Sequence, residues 1–154
     1  MVALVAALAA GCNGSSPPGP PRPTTTLPAA TSTTLRKTTL VAALSGGAAV
    51  PGPGAPAASG LARLTLDPHS GQLCWEVTVT GVDAPTAAHL HTAPLGAVGP
   101  VTVPLTAVAG GPSTGCATVP PELAASVAAN PPGFYVDVHD AAFPAGAVRG
   151  QLGV

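Results

Sequence analysis

The densest polar chemistry in this chain lies in two short runs, Ala88-His89-Leu90-His91 and Val136-Asp137-Val138-His139-Asp140. On a β-strand, side chains two residues apart share a face, so His89 and His91 project together. His139 ends the second run and can stand beside them. Two imidazoles at i and i+2 with a third from another strand suit a zinc or copper ion, with Asp137 or Asp140 as a further oxygen donor. A second reading gives the three histidines a structural role, hydrogen bonding to loop backbone at one end of the domain. The fourth histidine, His69, sits in the turn Asp67-Pro68-His69-Ser70-Gly71 and reads as a solvated turn residue. Arg149 also has two readings. One is a buried ion pair with Asp137 or Asp140 that fixes the register of two C-terminal strands. The other is an arginine that receives a carboxylate or a sugar at an open site.

The three cysteines divide into one and two. Cys12 ends the apolar run Val2–Gly11 and is followed at once by a Ser/Pro/Thr-rich stretch. That order resembles a bacterial lipoprotein signal, in which the peptide is cut before the cysteine and the thiol carries a diacylglycerol. The run is far too short to span a bilayer, which takes ~20 residues. It departs from the pattern in having no Lys or Arg before it. The resemblance implies a signal peptide at 1–11, lipidation at Cys12 and an extracytoplasmic protein anchored to a membrane by two acyl chains. In such a compartment the remaining pair, Cys74 and Cys116, reads as a disulfide. Closing a loop of ~40 residues stabilises a fold by roughly 3–4 kcal/mol on the chain-entropy account.

Composition narrows the partners and the chemistry. Only 7% of residues are charged and 3% aromatic, while Gly and Pro number 19 and 20. Long solvated helices need more Glu and Lys than this; short strands and tight turns do not. From Thr38 onward two arginines, Arg63 and Arg149, face six carboxylates. A domain with that balance has no basic face with which to neutralise phosphates, so nucleic acid is not an expected partner. The sequence holds no His-Glu-x-x-His pair, and its carboxylates are scattered. The expected role is therefore a non-enzymatic binding or structural module, with an unidentified protein or cell-wall ligand.

The elements that must position these residues follow from periodicity. Residues 12–37 carry almost no large apolar side chain and many prolines. They read as a disordered, extended tether at about 3 Å per residue, with Arg22, Arg36 and Lys37 as its cations. From residue 38 to 154 the period becomes two. Strands are expected near Leu40–Leu44, Leu61–Leu66, Leu73–Thr80, Ala87–Thr92, Val101–Leu105, Gly115–Val119, Phe134–His139 and Ala147–Leu152. The third is the clearest: Leu73, Trp75, Val77 and Val79 alternate with Cys74, Glu76, Thr78 and Thr80. One helix is expected at Pro121–Asn130, opened by proline and stopped by Asn130-Pro131-Pro132. About eight short strands with one short helix imply an all-β, antiparallel sandwich.

Several segments together resemble the CHRD (chordin) domain family. They are Ala-Ala-His-Leu-His at 87–91, Gly-Ala-Val-Gly-Pro-Val at 96–101, Phe-Tyr-Val-Asp-Val-His at 134–139 and Pro-Ala-Gly-Ala-Val-Arg-Gly-Gln-Leu at 144–152. Val50-Pro51, Gly60-Leu61-Ala62 and Gly71-Gln72-Leu73-Cys74-Trp75 also fit, and the likeness runs from about Thr38 to Leu152. Thr92 stands where the family often has Gly, and Asp137 where it often has Asn. In animal chordins such domains sit in a secreted antagonist of bone morphogenetic proteins, whereas bacterial members are exported proteins with no settled activity. Fold alone does not carry growth-factor binding to this chain. The His-x-His strand is also similar to that of Cu/Zn superoxide dismutase, but only in the tripeptide and the general architecture. A dismutase copper site takes four imidazoles with one bridging to zinc, and the position of His69 in a turn argues against dismutase activity.

Overall fold

The computed structural model describes residue 19 and residues 36–106 and 111–154. The signal segment at 1–11, Cys12 and nearly all of the 12–37 tether lie outside the described residues. Eight strands and one helix follow: β1 (Thr38–Ser45), β2 (Ser59–Asp67), β3 (Gln72–Thr80), β4 (Ala87–Thr92), β5 (Val101–Leu105), β6 (Ser113–Thr118), α1 (Pro121–Ala129), β7 (Phe134–His139) and β8 (Val148–Gln151). Each lies within a few residues of where period-two patterning puts it. No helix among the described residues is long and apolar enough to cross a membrane.

The strands form one antiparallel sheet in the order β5-β4-β7-β8-β1-β2-β3-β6. The two layers expected of a sandwich are two halves of this single, nearly closed sheet. They share one core, in which Leu40, Leu64, Leu73 and Trp75 from one half meet Leu90, Val103, Val136 and Val148 from the other. The halves join where β1 meets β8 through Ser45 and Arg149, with a further bridge from Val41 to Gly153. There the backbones approach closely. A Cβ on Gly150 would collide with the carbonyl of Ala43, so this seam admits only glycine.

Local chemistry explains the turns and the helix. Between β2 and β3, the Asp67 carboxylate accepts the backbone N–H groups of His69 and Ser70, and Gly71 takes φ +69°. Those two bonds hold the Asp67 carboxyl below its usual pKa. α1 has proline in its first turn and Glu122 beside its positive end, and it buries Ala124 and Val127. β3 turns Leu73, Trp75 and Val77 into the core and leaves Cys74 on the outer face, directly opposite Cys116 on β6.

Cys74 and Cys116 form the expected disulfide. Its place has a mechanical meaning. Among the described residues β6 is an outermost strand that pairs only with β3, and the bridge bolts this edge to the rest of the sheet across a sequence separation of 42. Replacing both cysteines by serine is therefore expected to lower unfolding free energy by roughly 3–4 kcal/mol. Denaturant unfolding of the two proteins checks this, and equal midpoints would contradict it.

Candidate metal centre

Three neighbouring strands build the site. β4 pairs with β7 so that His89 lies opposite Asp137, and His91 opposite Tyr135. β7 pairs with β8 so that Tyr135 lies opposite Gln151, and Asp137 opposite Arg149. Alternation then sends Leu90, Val136 and Val138 into the core. His89, His91, Tyr135, Asp137, His139, Arg149 and Gln151 go to the other face. The sequence-derived pairing of His89 with His91, and the approach of His139, are both found. The imidazole centroids of His89 lie 5.5 Å from His91 and 5.0 Å from His139.

Asp137 is the centre of this cluster. Its Oδ1 lies 3.1 Å from His139 Nε2 and 3.5 Å from His89 Nδ1, and its Oδ2 lies 3.1 Å from His91 Nε2. His89 Nδ1 and His139 Nε2 are themselves 3.1 Å apart. One donor atom from each of the four residues can be chosen so that all lie within 4.8 Å of one another. The Asp137 side chain is only 8% exposed.

The far side of two rings fixes which nitrogens are bare. His91 Nδ1 is 2.8 Å from the carbonyl of Gly99, and His139 Nδ1 is 3.1 Å from the carbonyl of Pro144. A carbonyl only accepts, so both Nδ1 atoms carry the proton and donate. In the neutral rings both Nε2 atoms are then lone pairs, turned toward a buried carboxylate that also has only lone pairs to offer. Proximity here is not hydrogen bonding. His91 Nε2 and Asp137 Oδ1 are buried and have no hydrogen-bond partner, despite contacts of 3.1 Å. His89 Nδ1 can carry a proton toward His139 Nε2 in the neutral state, whereas the contact of His91 Nε2 with Asp137 is relieved only by an added proton or a cation.

The geometry fits a metal ion. A tetrahedron with bonds of about 2.0–2.1 Å has edges of about 3.3 Å; four of the donor contacts lie at 3.1 to 3.5 Å, and the whole four-donor set lies within 4.8 Å. The carbonyls of Gly99 and Pro144 hold these two rings in the tautomer and orientation that metal ligation would need. His91 and His139 bond loop backbone as the structural reading expects, and all three rings gather with Asp137 in a cluster that could hold a metal ion.

The acidity of the rings follows their surroundings. The Asp137 carboxylate 3.1 Å from His139 favours its protonated form and raises its pKa above 6.5, and partial burial only partly opposes this. Burial lowers the pKa of His89, and the pull of the Asp137 charge does not outweigh it.

Arg149 does not form the expected ion pair with Asp137 or Asp140. Asp137 is turned to the imidazoles, and Asp140 closes a turn by accepting the N–H of Phe143 at 2.7 Å. The guanidinium is instead satisfied by neutral dipoles: the carbonyls of Ala97 at 2.7 Å and Pro94 at 3.1 Å, and Gln151 Oε1 at 3.3 Å. It lies 3.5 Å from the centroid of the Tyr135 ring, a cation–π contact. At 2% exposure it is not an open site for a carboxylate or sugar either.

The Tyr135 ring also stacks on His91, with centroids 4.6 Å apart and planes within 6°. Two groups at these distances cannot share one face of a phenol ring, so Tyr135 is held between His91 and Arg149. Its hydroxyl accepts the N–H of Gly99, the residue whose carbonyl orients His91. Gln151 Nε2 donates to the carbonyls of Ala93 and Pro132. Arg149, Gln151 and Tyr135 therefore pin segment 93–99 over the site. Gly99 fits because a Cβ there would strike the carbonyl of Thr92. Tyr135 and this segment had no assigned role in the sequence reading. Their signal is the same period-two rule, since Tyr135 shares a face with Asp137 and His139.

The CHRD domain matches residues 40–152, and the chain belongs to that family. No curated protein and no solved structure matches the chain.

Two outcomes follow from the electrostatics. Arg149→Leu leaves the Pro94 and Ala97 carbonyls without their charged donor and should cost about 3 kcal/mol of stability. An unchanged urea midpoint would count against the role given to the arginine. In metal-free protein, His139 should titrate above 6.5 by NMR and return toward or below that value in Asp137→Asn. The stabilisation it draws from Asp137 is then fully present below pH 6.5 and is lost as pH rises through the raised value. A His139 titration unmoved by Asp137→Asn would contradict this.

Proposed function

We propose that this chain is a non-enzymatic CHRD module that binds one divalent transition-metal ion, zinc or Cu(II), outside the cytoplasm. The observation that carries the reading is the pair of buried, unpartnered donors, His91 Nε2 and Asp137 Oδ1, set beside His89 and His139. His89, His91 and His139 supply nitrogen and Asp137 supplies oxygen. This borderline set suits Zn(II) or Cu(II). It lacks the thiolate or thioether that would favour Cu(I). Four protein ligands complete a tetrahedron without a vacant position, as in structural rather than catalytic zinc sites. That supports a role in binding rather than turnover.

The place of work rests on other residues. The apolar run ending at Cys12 supports lipid anchoring at the outer face of a membrane, with residues 12–37 as spacer. The Cys74–Cys116 disulfide is compatible with an oxidising compartment. A protein or cell-wall partner is the natural complement of a displayed domain, and the acidic balance of residues 38–154 disfavours nucleic acid.

Full-length protein loaded with zinc or copper and desalted should retain about one ion per chain, and both His91→Ala and Asp137→Ala should retain none. Free metal at 100 times its dissociation constant should add about 2.7 kcal/mol to stability, reversed by chelator. Wild-type protein that keeps no metal and melts identically with and without chelator would refute metal binding. For the anchor, Cys12→Ser should move the protein from the membrane to the soluble fraction. Unchanged partitioning would rule out Cys12 as the lipid site.

A further inference from the structure

The four donors are not held alike, and the difference has a consequence for how metal enters and leaves. His91 is fixed at three points: its Nδ1 donates to Gly99, its ring lies on Tyr135, and Tyr135 is backed by Arg149. His139 is fixed through Nδ1 by the carbonyl of Pro144. Asp137 lies buried in β7, the middle strand of the three that build the site. His89 has none of these supports. Among the described residues its Nε2 has no hydrogen bond, and its aromatic contacts are edge contacts with the two other imidazoles. Across β5 it faces Pro104, which has no N–H to offer. It is also the outermost ligand, with a side chain 24% exposed against 10% for His91 and 14% for His139.

We propose that His89 is the exchangeable ligand of this centre. The proposal rests on the metal-binding reading above. His91, His139 and Asp137 form a rigid three-donor seat, and His89 is the arm that closes over it. Rotation of His89 toward solvent breaks the bond between its Nδ1 and the metal. A water oxygen or another monodentate donor forms the replacing bond, and His89 keeps its lone pair. No electron is transferred, and the ion keeps four ligands. The chemical class admitted at this position is a small neutral nitrogen or oxygen donor, such as water, free imidazole or a histidine of an acceptor protein. The physical reason is the support network. A ring anchored through its second nitrogen resists displacement, whereas an unanchored ring on the rim has only the metal bond to hold it. The centre then works as a site that loads and releases its ion, with the other three residues setting affinity.

The test uses Co(II), whose visible absorption reports coordination, on full-length protein and on His89→Ala, His91→Ala and His139→Ala, all checked for folding by circular dichroism. His89→Ala should still bind Co(II), release it to chelator at least about tenfold faster than wild type, and recover the wild-type absorption when imidazole is added. His91→Ala and His139→Ala should bind no Co(II), and imidazole should not restore it. Complete loss of binding in His89→Ala with no rescue by imidazole would overturn the proposal, because His89 would then be part of the seat. Wild-type absorption and release rate in His89→Ala would also overturn it, because His89 would then not be a ligand. Failure of wild-type protein to bind Co(II) at all would instead remove the metal-binding reading beneath it.

Discussion

The site depends on one electrostatic constraint: a buried carboxylate faces imidazole nitrogens whose protons are committed elsewhere. The Gly99 and Pro144 carbonyls take the Nδ1 protons of His91 and His139. What remains around Asp137 are the lone pairs of His91 Nε2 and His139 Nε2, each at 3.1 Å. Lone pairs do not hold one another together in a low dielectric. Positive charge must therefore be present, as protons on the rings or as a metal ion. The directional misfit at His91 Nε2 and Asp137 Oδ1 favours the ion, since both atoms approach a partner without hydrogen-bond alignment.

The rest of the domain can be understood as the scaffold for that arrangement. Period-two alternation lets β4, β7 and β8 serve two masters, with Leu90, Val136, Val138 and Val148 in the core and the polar set on the opposite face. Arg149 links the two levels. It lies buried without a carboxylate, and its charge is spread over two carbonyls, an amide oxygen and an aromatic ring. This holds segment 93–99 in place and, through Tyr135 and Gly99, sets the orientation of His91. The seam at Gly150 and the disulfide at Cys74–Cys116 keep the long sheet in one piece around its single core.

Much of this was legible in the chain, for reasons that particular residues illustrate. Strand positions followed from alternation, most clearly in Leu73–Thr80, and the disulfide from an even pair of cysteines. The CHRD likeness at 87–91 and 134–139 covered the strands that carry the histidines. Choosing between Asp137 and Asp140 as the oxygen donor required cross-strand register. Asp137 lies opposite His89, whereas Asp140 lies one residue past β7 and turns to Phe143. The partner of Arg149 was misjudged because charge counting seeks an opposite charge. The actual partners are backbone carbonyls and a ring, which carry no signature in composition. That the sandwich layers are one continuous sheet also depends on β1 and β8 meeting, a contact between the two ends of the domain that no local pattern encodes.

The most direct test of the central claim is a crystal structure of zinc-loaded protein with anomalous data on both sides of the zinc absorption edge. The account predicts a single strong anomalous peak bonded to His89 Nδ1, His91 Nε2, His139 Nε2 and an Asp137 oxygen, at about 2.0–2.2 Å. Hydrogen bonds from protonated rings to Asp137, with no anomalous scatterer between them, would contradict it. The cluster would then be a proton-stabilised element of the fold.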